Sequence, residues 1–229
     1  MKISIVIPCY NEEKNILDLK KKFKVYKNKK NYELILIDNG SIDKTYNLLI
    51  KKFSKIKNFK IIKIKKNKGF GFAIKLGIKK SSGNFIAYTH ADQETSQDDI
   101  YKFFKNYKGS FKNIFVKGFR TGRSKIDKMF TFLMSITVLF FFQKFLNDIH
   151  AQPNIFEKKL INNISDLPDD FSIDTAIYLK ALKSRKEIKR INVKFGKRKY
   201  GLGNNIKLQS KIKNSFINFF SIIKLFVIF

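Results

Sequence analysis

Short runs of β-branched and aromatic residues alternate with segments of helical periodicity, and that alternation restricts the fold more than any other feature of the chain. The runs are Ile3–Ile7, Glu33–Ile37, Lys60–Ile64, Phe85–Thr89 and Ile114–Lys117. They have the length of strands rather than helices, and Ile3–Ile7 has the composition of a buried one. Between them, Glu12–Tyr26 sets Ile16, Leu19, Phe23 and Tyr26 at spacings of three and four. Lys44–Phe53 carries Leu48, Leu49, Ile50 and Phe53, and Phe72–Lys80 carries Ala73, Leu76 and Gly77. Those are helical patterns. Strand–helix–strand alternation predicts an α/β fold with a mixed, mostly parallel sheet flanked by helices.

Composition removes several other classes. The 229 residues are 44% hydrophobic and 15% aromatic, which excludes a disordered chain. Eleven Gly, three Pro and the single Cys9 exclude collagen and a disulfide scaffold, and a lone Cys suits a reducing compartment. Lys and Arg number 48 against 18 Asp and Glu, a net charge of +30. Such a surface attracts nucleic acid, anionic lipid or phosphorylated substrates. The basic residues are spread over Lys20–Lys22, Lys27–Lys30, Lys51–Lys68 and Lys183–Lys199, and Lys, Asn, Ile and Phe are over-used together. Charge alone therefore selects no partner. The five-residue run after Met1–Lys2 ends at Pro8 and does not read as a signal peptide.

Beyond about residue 120 the pattern changes. Met129–Phe142 and Phe216–Phe229 are apolar stretches of fourteen residues each, flanked by Lys125, Lys128 and Lys144 and by Lys207, Lys211 and Lys213. As helices they would be about 21 Å long, short of the ~30 Å of a bilayer core. Apolar surface beside lysine is the composition of a helix lying in a membrane interface. The expected organisation is an α/β domain over residues 1–204, including an interfacial helix over 126–146, and a membrane-associating segment over 205–229.

Ligands bind open α/β sheets at the carboxyl ends of the strands. After the first strand come Pro8, Cys9, Tyr10, Asn11, Glu12 and Glu13. After the second come Asp38, Asn39, Gly40, Ser41, Ile42 and Asp43, and after the fourth His90, Ala91, Asp92, Gln93 and Glu94. Tyr10 offers a flat face to a base. In an extended segment His90, Asp92 and Glu94 would share one side and could ligate a divalent cation. Asp43 is expected to cap the helix that follows it.

Ile-Pro-x-Tyr-Asn-Glu at 7–12, Ile-Asp-Asn-Gly-Ser-x-Asp-x-Thr at 37–45, Asn-x-Gly-x-Gly-x-Ala-x-x-x-Gly at 67–77 and Ala-Asp at 91–92 resemble family 2 glycosyltransferases, which have the GT-A fold. The nearest branch is the dolichol- or polyprenyl-phosphate sugar synthases, and the resemblance covers most of residues 2–204. It implies that Pro8, Tyr10, Asn11, Glu12, Asp38, Asn39, Asn67 and Asp92 bind a nucleotide sugar. His90-Ala91-Asp92 stands at the metal motif, so His90, Asp92 and Glu94 are the implied ligands of Mn²⁺ or Mg²⁺. An imidazole among carboxylates favours Mn²⁺. Gly118-Phe119-Arg120 matches a phosphate-binding Gly-x-Arg, and Asp148 opens a segment like the acceptor-site floor. Asp174 falls where an acidic residue faces the acceptor, and Arg198 in Arg-Lys-Tyr-Gly matches a lid over the donor diphosphate. Asp174, Arg120 and Arg198 are thus the implied catalytic residues.

The implied reaction is inverting transfer of a sugar from a nucleotide-diphosphate sugar to polyprenyl phosphate or another lipid-linked acceptor. Its place would be the cytoplasmic face of the membrane, in cell-envelope polysaccharide synthesis, with no nucleic-acid partner. The alternative is a non-catalytic basic protein that binds membranes or polyanions. The sequence leaves the sugar, the base and the oligomeric state open.

Overall fold

A computed structural model describes residues 1–196, Tyr200 and 208–228. The elements are β1 (Ile3–Cys9), α1 (Ile16–Phe23), β2 (Tyr32–Asn39), α2 (Thr45–Phe53), β3 (Phe59–Ile64), α3 (Phe70–Lys80), β4 (Phe85–Tyr88), α4 (Asp98–Asn106) and β5 (Ile114–Thr121). Then follow α5 (Lys125–Phe142), β6 (Asn154–Glu157), α6 (Ile173–Lys183), β7 (Glu187–Lys194) and α7 (Leu208–Ile228). The strands form one seven-stranded sheet in the order β3-β2-β1-β4-β6-β5-β7. β1 pairs in parallel with β2 and β4, β2 with β3, and β5 with β7, while β6 runs antiparallel between β4 and β5. Strand order reverses at β1, so a crevice opens at its carboxyl end.

The near-continuous apolar strands follow from burial on both faces. Ile3, Ile5, Ile7 and Cys9 of β1 join Leu34 and Leu36 of β2 against Ile16, Leu19 and Phe23 of α1 and Leu49 and Phe53 of α2. Val6, Ile35 and Ile37 point the other way, onto Ala73, Ile74 and Ile78 of α3. Side-chain alternation along a strand produces this division.

Two strands carried no clear signal. β6 has only Ile155 and Phe156 as apolar residues, and β7 reads Glu-Ile-Lys-Arg-Ile-Asn-Val-Lys, with Val193 alone fully buried. β7 is an edge strand, where charged side chains guard unpaired backbone groups. α1 starts later than its periodicity suggested. Residues 11–15 form a rim loop instead, with Asn11 in the left-handed region at φ +54°.

α5 opens on Ser124, whose hydroxyl accepts from the Asp127 N–H at 3.1 Å and donates to its carboxylate at 2.6 Å, a two-way cap. It ends at Phe142, four residues before the expected limit of 146, with Gln143 (φ +54°) as its C-cap. Only Met134, Ser135 and Val138 of α5 are buried, and Ile126, Met129, Phe132, Leu133, Ile136 and Phe140 are exposed. α7 lays Ile222 and Leu225 into the core, and its Phe226 ring lies 5.4 Å from Phe141 and 5.7 Å from Phe142. Its Phe216, Ile217, Phe220 and Val227 stay exposed. Among the described residues no helix is long and apolar enough to cross a membrane.

At the opposite end of the sheet from the crevice, Glu33 is 4% exposed. Its carboxylate accepts from the Ser4 hydroxyl (2.6 Å) and from the Ser82 N–H and hydroxyl (2.9 Å each), and pairs with Lys60. Burial works to raise its pKa, but Lys60, Ser4 and Ser82 outweigh it and hold the group down at about 2. The stability this network adds is present above the ordinary carboxylate range and is lost as pH falls toward 2. Glu33→Gln is expected to cost about 2 kcal/mol at neutral pH, read as a shift of the urea midpoint, and to flatten the acid limb of the stability curve. An unchanged acid limb would contradict this.

Candidate active site

Three rim loops meet at the carboxyl ends of β1, β2 and β4. The first two are laced together. Asn11 N–H donates to Ser41 Oγ at 3.0 Å, and Ile42 N–H returns a bond to Asn11 Oδ1 at 3.0 Å. Glu12 N–H donates to Thr45 Oγ1 at 2.7 Å, and Glu13 N–H to Asp43 Oδ2 at 3.2 Å. Asp43 also accepts from the Thr45 N–H at 2.9 Å, as expected of a residue at this helix start. The lacing fixes a cavity of about 140 Å³ lined by Asn11, Glu12, Glu13, Lys14, Asn15, Asp43 and Tyr200. Tyr10, 45% exposed, stands at the end of β1 with ring surface available for stacking. Pro8 sits within the strand.

Asp38 is fully buried, with Oδ1 accepting the Ser41 N–H at 3.3 Å. Its Oδ2 has no hydrogen-bond partner among the described residues. A buried carboxylate oxygen without a donor is costly unless a ligand supplies one. Asn39 and Asn67 do come together, but on each other: Asn39 Nδ2 donates to Asn67 Oδ1 at 3.3 Å and to Gly69 O at 3.0 Å. Gly40 between these loops has φ +74°, and a Cβ there would lie 2.3 Å from Asn67 N. Only glycine fits that turn.

The third loop corrects the sequence expectation of a three-ligand metal site. Residues 90–95 are bent rather than extended, because Gln93 takes φ +64° and the Glu94 N–H turns back onto Asp92 Oδ1 at 3.2 Å. Alternation along an extended segment therefore does not apply to His90, Asp92 and Glu94. Among the described residues no group of three His, Cys, Asp or Glu could hold a metal ion. His90 instead packs against Phe70 with ring centroids 5.0 Å apart. Asp92 is 4% exposed, and its loop is tied to the first by Gln93 Nε2, which donates to Asn15 Oδ1 at 3.1 Å. Asn15 in turn donates to the Glu12 carboxylate. Glu94 O accepts from the Gly196 N–H at 2.8 Å, which carries the chain after β7 over the same loop.

Arg120 and Arg123 converge on one carboxylate. Arg120 donates to Asp148 through its backbone N–H (2.8 Å), Nε (3.0 Å) and Nη2, and Arg123 through Nη1 (3.3 Å). Phe195 lies 5.5 and 5.9 Å from the two guanidinium carbons. Burial alone would raise Asp148, but the bonds and charge of Arg120, with Arg123, hold its pKa below the ordinary value. Burial, then Arg120, lowers Arg123 to about 10. Arg123 Nη2 also donates to Asp127 O (2.8 Å) and Thr131 Oγ1 (2.6 Å), joining this cluster to α5. Asp148 is shared by both guanidinium groups, and the charges of Asp127, in the first turn of α5, and Glu94 also act on Arg123.

Asp174 lies in the first turn of α6, as expected, but is only 1% exposed. It accepts from Tyr88 Oη at 2.6 Å and from Asn154 Nδ2 and Gln152 Nε2 at 3.4 Å, with His150 Nδ1 at 3.9 Å. Burial lowers His150 to about 4, so the ring is neutral at pH 7. A carboxylate so enclosed is out of reach of an acceptor hydroxyl in this conformation, which removes the geometric ground for Asp174 as base. Beside it is Lys117, missed in the sequence although a lysine ending the apolar run Ile114–Val116 was a signal. It is fully buried, donates to Asn154 Oδ1 (2.9 Å) and Ala151 O (3.1 Å), and is lowered by burial to about 7. Arg198, expected in the lid with Lys199 and Gly201, lies outside the described residues.

Comparison with known proteins agrees with this architecture. The chain is 27% identical over 183 residues to an uncharacterised glycosyltransferase of Synechocystis, covering 74% of this chain and 54% of that protein. It is 35% identical over 120 residues to the dolichyl-phosphate beta-glucosyltransferase of Dictyostelium discoideum, covering 45% of this chain and 37% of that one. The chain thus spans about half the length, or less, of these two relatives. The crystal structure of glucosyl-3-phosphoglycerate synthase from Mycobacterium tuberculosis, in complex with Mn²⁺, UDP and glucosyl-3-phosphoglycerate, superposes with a TM-score of 0.72 at 16% identity, over 98% of this chain and 80% of that one. That likeness shows the GT-A fold. The family model of Glycosyl transferase family 2 matches residues 4–156, two-thirds of the sequence and all three rim loops, and the chain belongs to that family.

Proposed function

We propose that this chain transfers a sugar from a nucleoside diphosphate sugar to the phosphate of a polyprenyl-type lipid at a membrane surface, with inversion and with a divalent cation. The observation that carries the proposal is the junction of two features. The three rim loops form a laced pocket and carry the buried Asp38 and Asp92, and they come close enough to an arginine pair for the charge of Glu94 to act on Arg123, which is itself tied to the apolar helix α5. A non-catalytic basic binder leaves the pocket and its buried carboxylates without a use.

The donor set fits a cation held jointly by protein and substrate. Small divalent ions are commonly bound by one or two carboxylates together with substrate phosphates. Asp92 supplies the carboxylate, and the donor diphosphate would supply the remaining oxygens. Bound there, the cation offsets the charge that develops on the leaving diphosphate. Both Mn²⁺ and Mg²⁺ suit an oxygen set, and His90, whose ring packs on Phe70, gives no ground for preferring Mn²⁺.

The chain's own residues account for the other steps. Tyr10 stacks on the base. Arg120 and Arg123 draw in the acceptor phosphate and orient one oxygen for attack on the anomeric carbon from the face opposite the leaving group. A lipid phosphate is already ionised at neutral pH, so no general base is required. The buried Asp174 then serves to hold Tyr88, Gln152 and Asn154 beneath the site. A panel of nucleotide sugars with Mn²⁺ or Mg²⁺ tests the donor half: one is expected to bind in a metal-dependent way, and metal-independent binding of all or none would contradict it.

The exposed faces of α5 and α7 are the proposed membrane contact, on the cytoplasmic face, with Lys125, Lys128 and Lys144 beside anionic headgroups. The boundary expected at 204/205 falls outside the described residues, but α7 packs back onto α5. Phe132→Asp combined with Phe216→Asp is expected to weaken flotation with phosphatidylglycerol vesicles at least tenfold. Soluble-donor binding should not change. Undiminished flotation would place the contact elsewhere.

A further inference from the structure

Phe70, His90 and Phe171 come from three separate parts of the chain and meet at the rim. Phe70 and Phe171 stack with centroids 4.8 Å apart and planes 9° from parallel. His90 lies 5.0 Å from Phe70 and 6.4 Å from Phe171. One face of Phe171 is covered by Phe70, yet the residue is 48% exposed, so its other face is open.

The mount beneath this exposed ring is rigid. Residues 168–170 press against the start of α3 so closely that a Cβ on Gly69 would lie 2.3 Å from Asp169 O, and one on Gly71 2.3 Å from Pro168 O. Phe72 N–H donates to Asp169 O at 3.0 Å, and Lys75 pairs with the Asp169 carboxylate at 2.6 Å. Asp170 accepts from the Ser172 N–H at 2.8 Å and from the Ser221 hydroxyl of α7 at 3.0 Å. An apolar ring fixed on all sides but left open is pre-organised for a ligand. Sheet, helix and loop are all committed to holding it, while its 48% exposure shows that the described residues leave much of it uncovered.

The position says which ligand. His90 is two residues before Asp92, and Phe70 follows the Asn67–Gly69 loop on which Asn39 rests. On the other side, Asp170 reaches α7. The cluster therefore sits between the loop that carries Asp92 and the segment that Asp170 ties to α7, the interval to which the function proposed above assigns the hexose of a bound donor. A pyranose carries an apolar face of axial C–H groups, which packs on an aromatic ring with the same dispersion and quadrupole terms that favour aromatic pairs. We propose that the Phe70–His90–Phe171 cluster is the platform for the transferred sugar, and that Phe171 determines specificity by stacking on its apolar face. The inference rests on the glycosyltransferase function proposed above. It also gives a use to His90, which the sequence had implied as a metal ligand.

The test compares UDP and GDP with UDP-glucose, UDP-galactose and GDP-mannose, each with Mn²⁺, by calorimetry on the full chain. Phe171→Leu is expected to weaken the preferred sugar nucleotide about tenfold relative to wild type, a step the size of an aromatic contact. The free diphosphate should bind unchanged, and Phe171→Tyr, which keeps the ring, should retain wild-type affinity. On the wild-type chain, saturation of aromatic protons is expected to transfer to hexose protons in NMR, a readout that needs no variant to fold. Equal losses for diphosphate and sugar nucleotide would overturn the proposal. So would a raised KM for polyprenyl phosphate at unchanged donor affinity, which would assign the platform to the lipid chain, or an absence of transfer to hexose protons. If wild type binds no nucleoside diphosphate, the function itself falls, an outcome distinct from these.

Discussion

Asp92→Asn is expected to lower sugar transfer by about two to three orders of magnitude, the scale of removing one electrostatic element that acts on the developing charge. The substitution is nearly isosteric, and its Oδ1 can still accept the Glu94 N–H that shapes the loop. What changes is charge. Asp92 is 4% exposed and lies on the loop that Gln93 ties to Asn15. Because no three-carboxylate cage surrounds it among the described residues, its loss is not made good by neighbours. The expected signature is a fall in kcat/KM at saturating metal with the melting temperature held within a few degrees. A variant within fivefold of wild type would remove Asp92 from the mechanism.

The second large effect is on stability. Asp148 is 6% exposed and neutralises Arg120 and Arg123, themselves 13% and 9% exposed. Asp148→Ala removes the carboxylate that both guanidinium groups share, leaving the charges of Asp127 and Glu94 acting on Arg123. Breaking a buried pair from one side costs about 3–5 kcal/mol, which in urea would displace the midpoint by more than 1 M at ordinary slopes. The pH dependence follows in sign. The folded-state pKa of Asp148 is depressed, so its contribution is complete above the ordinary carboxylate pKa and fades as pH falls below it. The difference between wild type and Asp148→Ala should shrink in acid. A loss below 1 kcal/mol at pH 7 would mean that solvent already screens the pair.

Most of the parallel half of the fold was legible because its strands are buried on both faces, and such runs stand out from the amphipathic helices between them. β6 and β7 were not, since one is four residues long and the other is an edge strand rich in Lys and Arg. At the site, the strand-end rule gave the three loops, the family resemblance singled out Asp38, Asn39 and Asp92 on them, and alternation grouped Asp92 with His90 and Glu94. It failed at His90 and Glu94 because a single left-handed residue, Gln93, cancels the alternation on which that expectation stood. The Phe70–Phe171 stack joins residues a hundred positions apart, and no local pattern marks it. The enclosure of Asp174 was hidden for the same reason: its partners Tyr88, Gln152 and Asn154 come from β4, the loop before β6 and β6 itself.

The central claim is that protein and donor hold the cation together, with Asp92 as the protein's share. Mn²⁺ binding followed by electron paramagnetic resonance, with and without the preferred nucleoside diphosphate, tests it directly. The account predicts weak binding by the chain alone, strong binding once the diphosphate is present, and loss of that gain in Asp92→Asn. Tight Mn²⁺ binding without nucleotide, or an undiminished gain in Asp92→Asn, would contradict it.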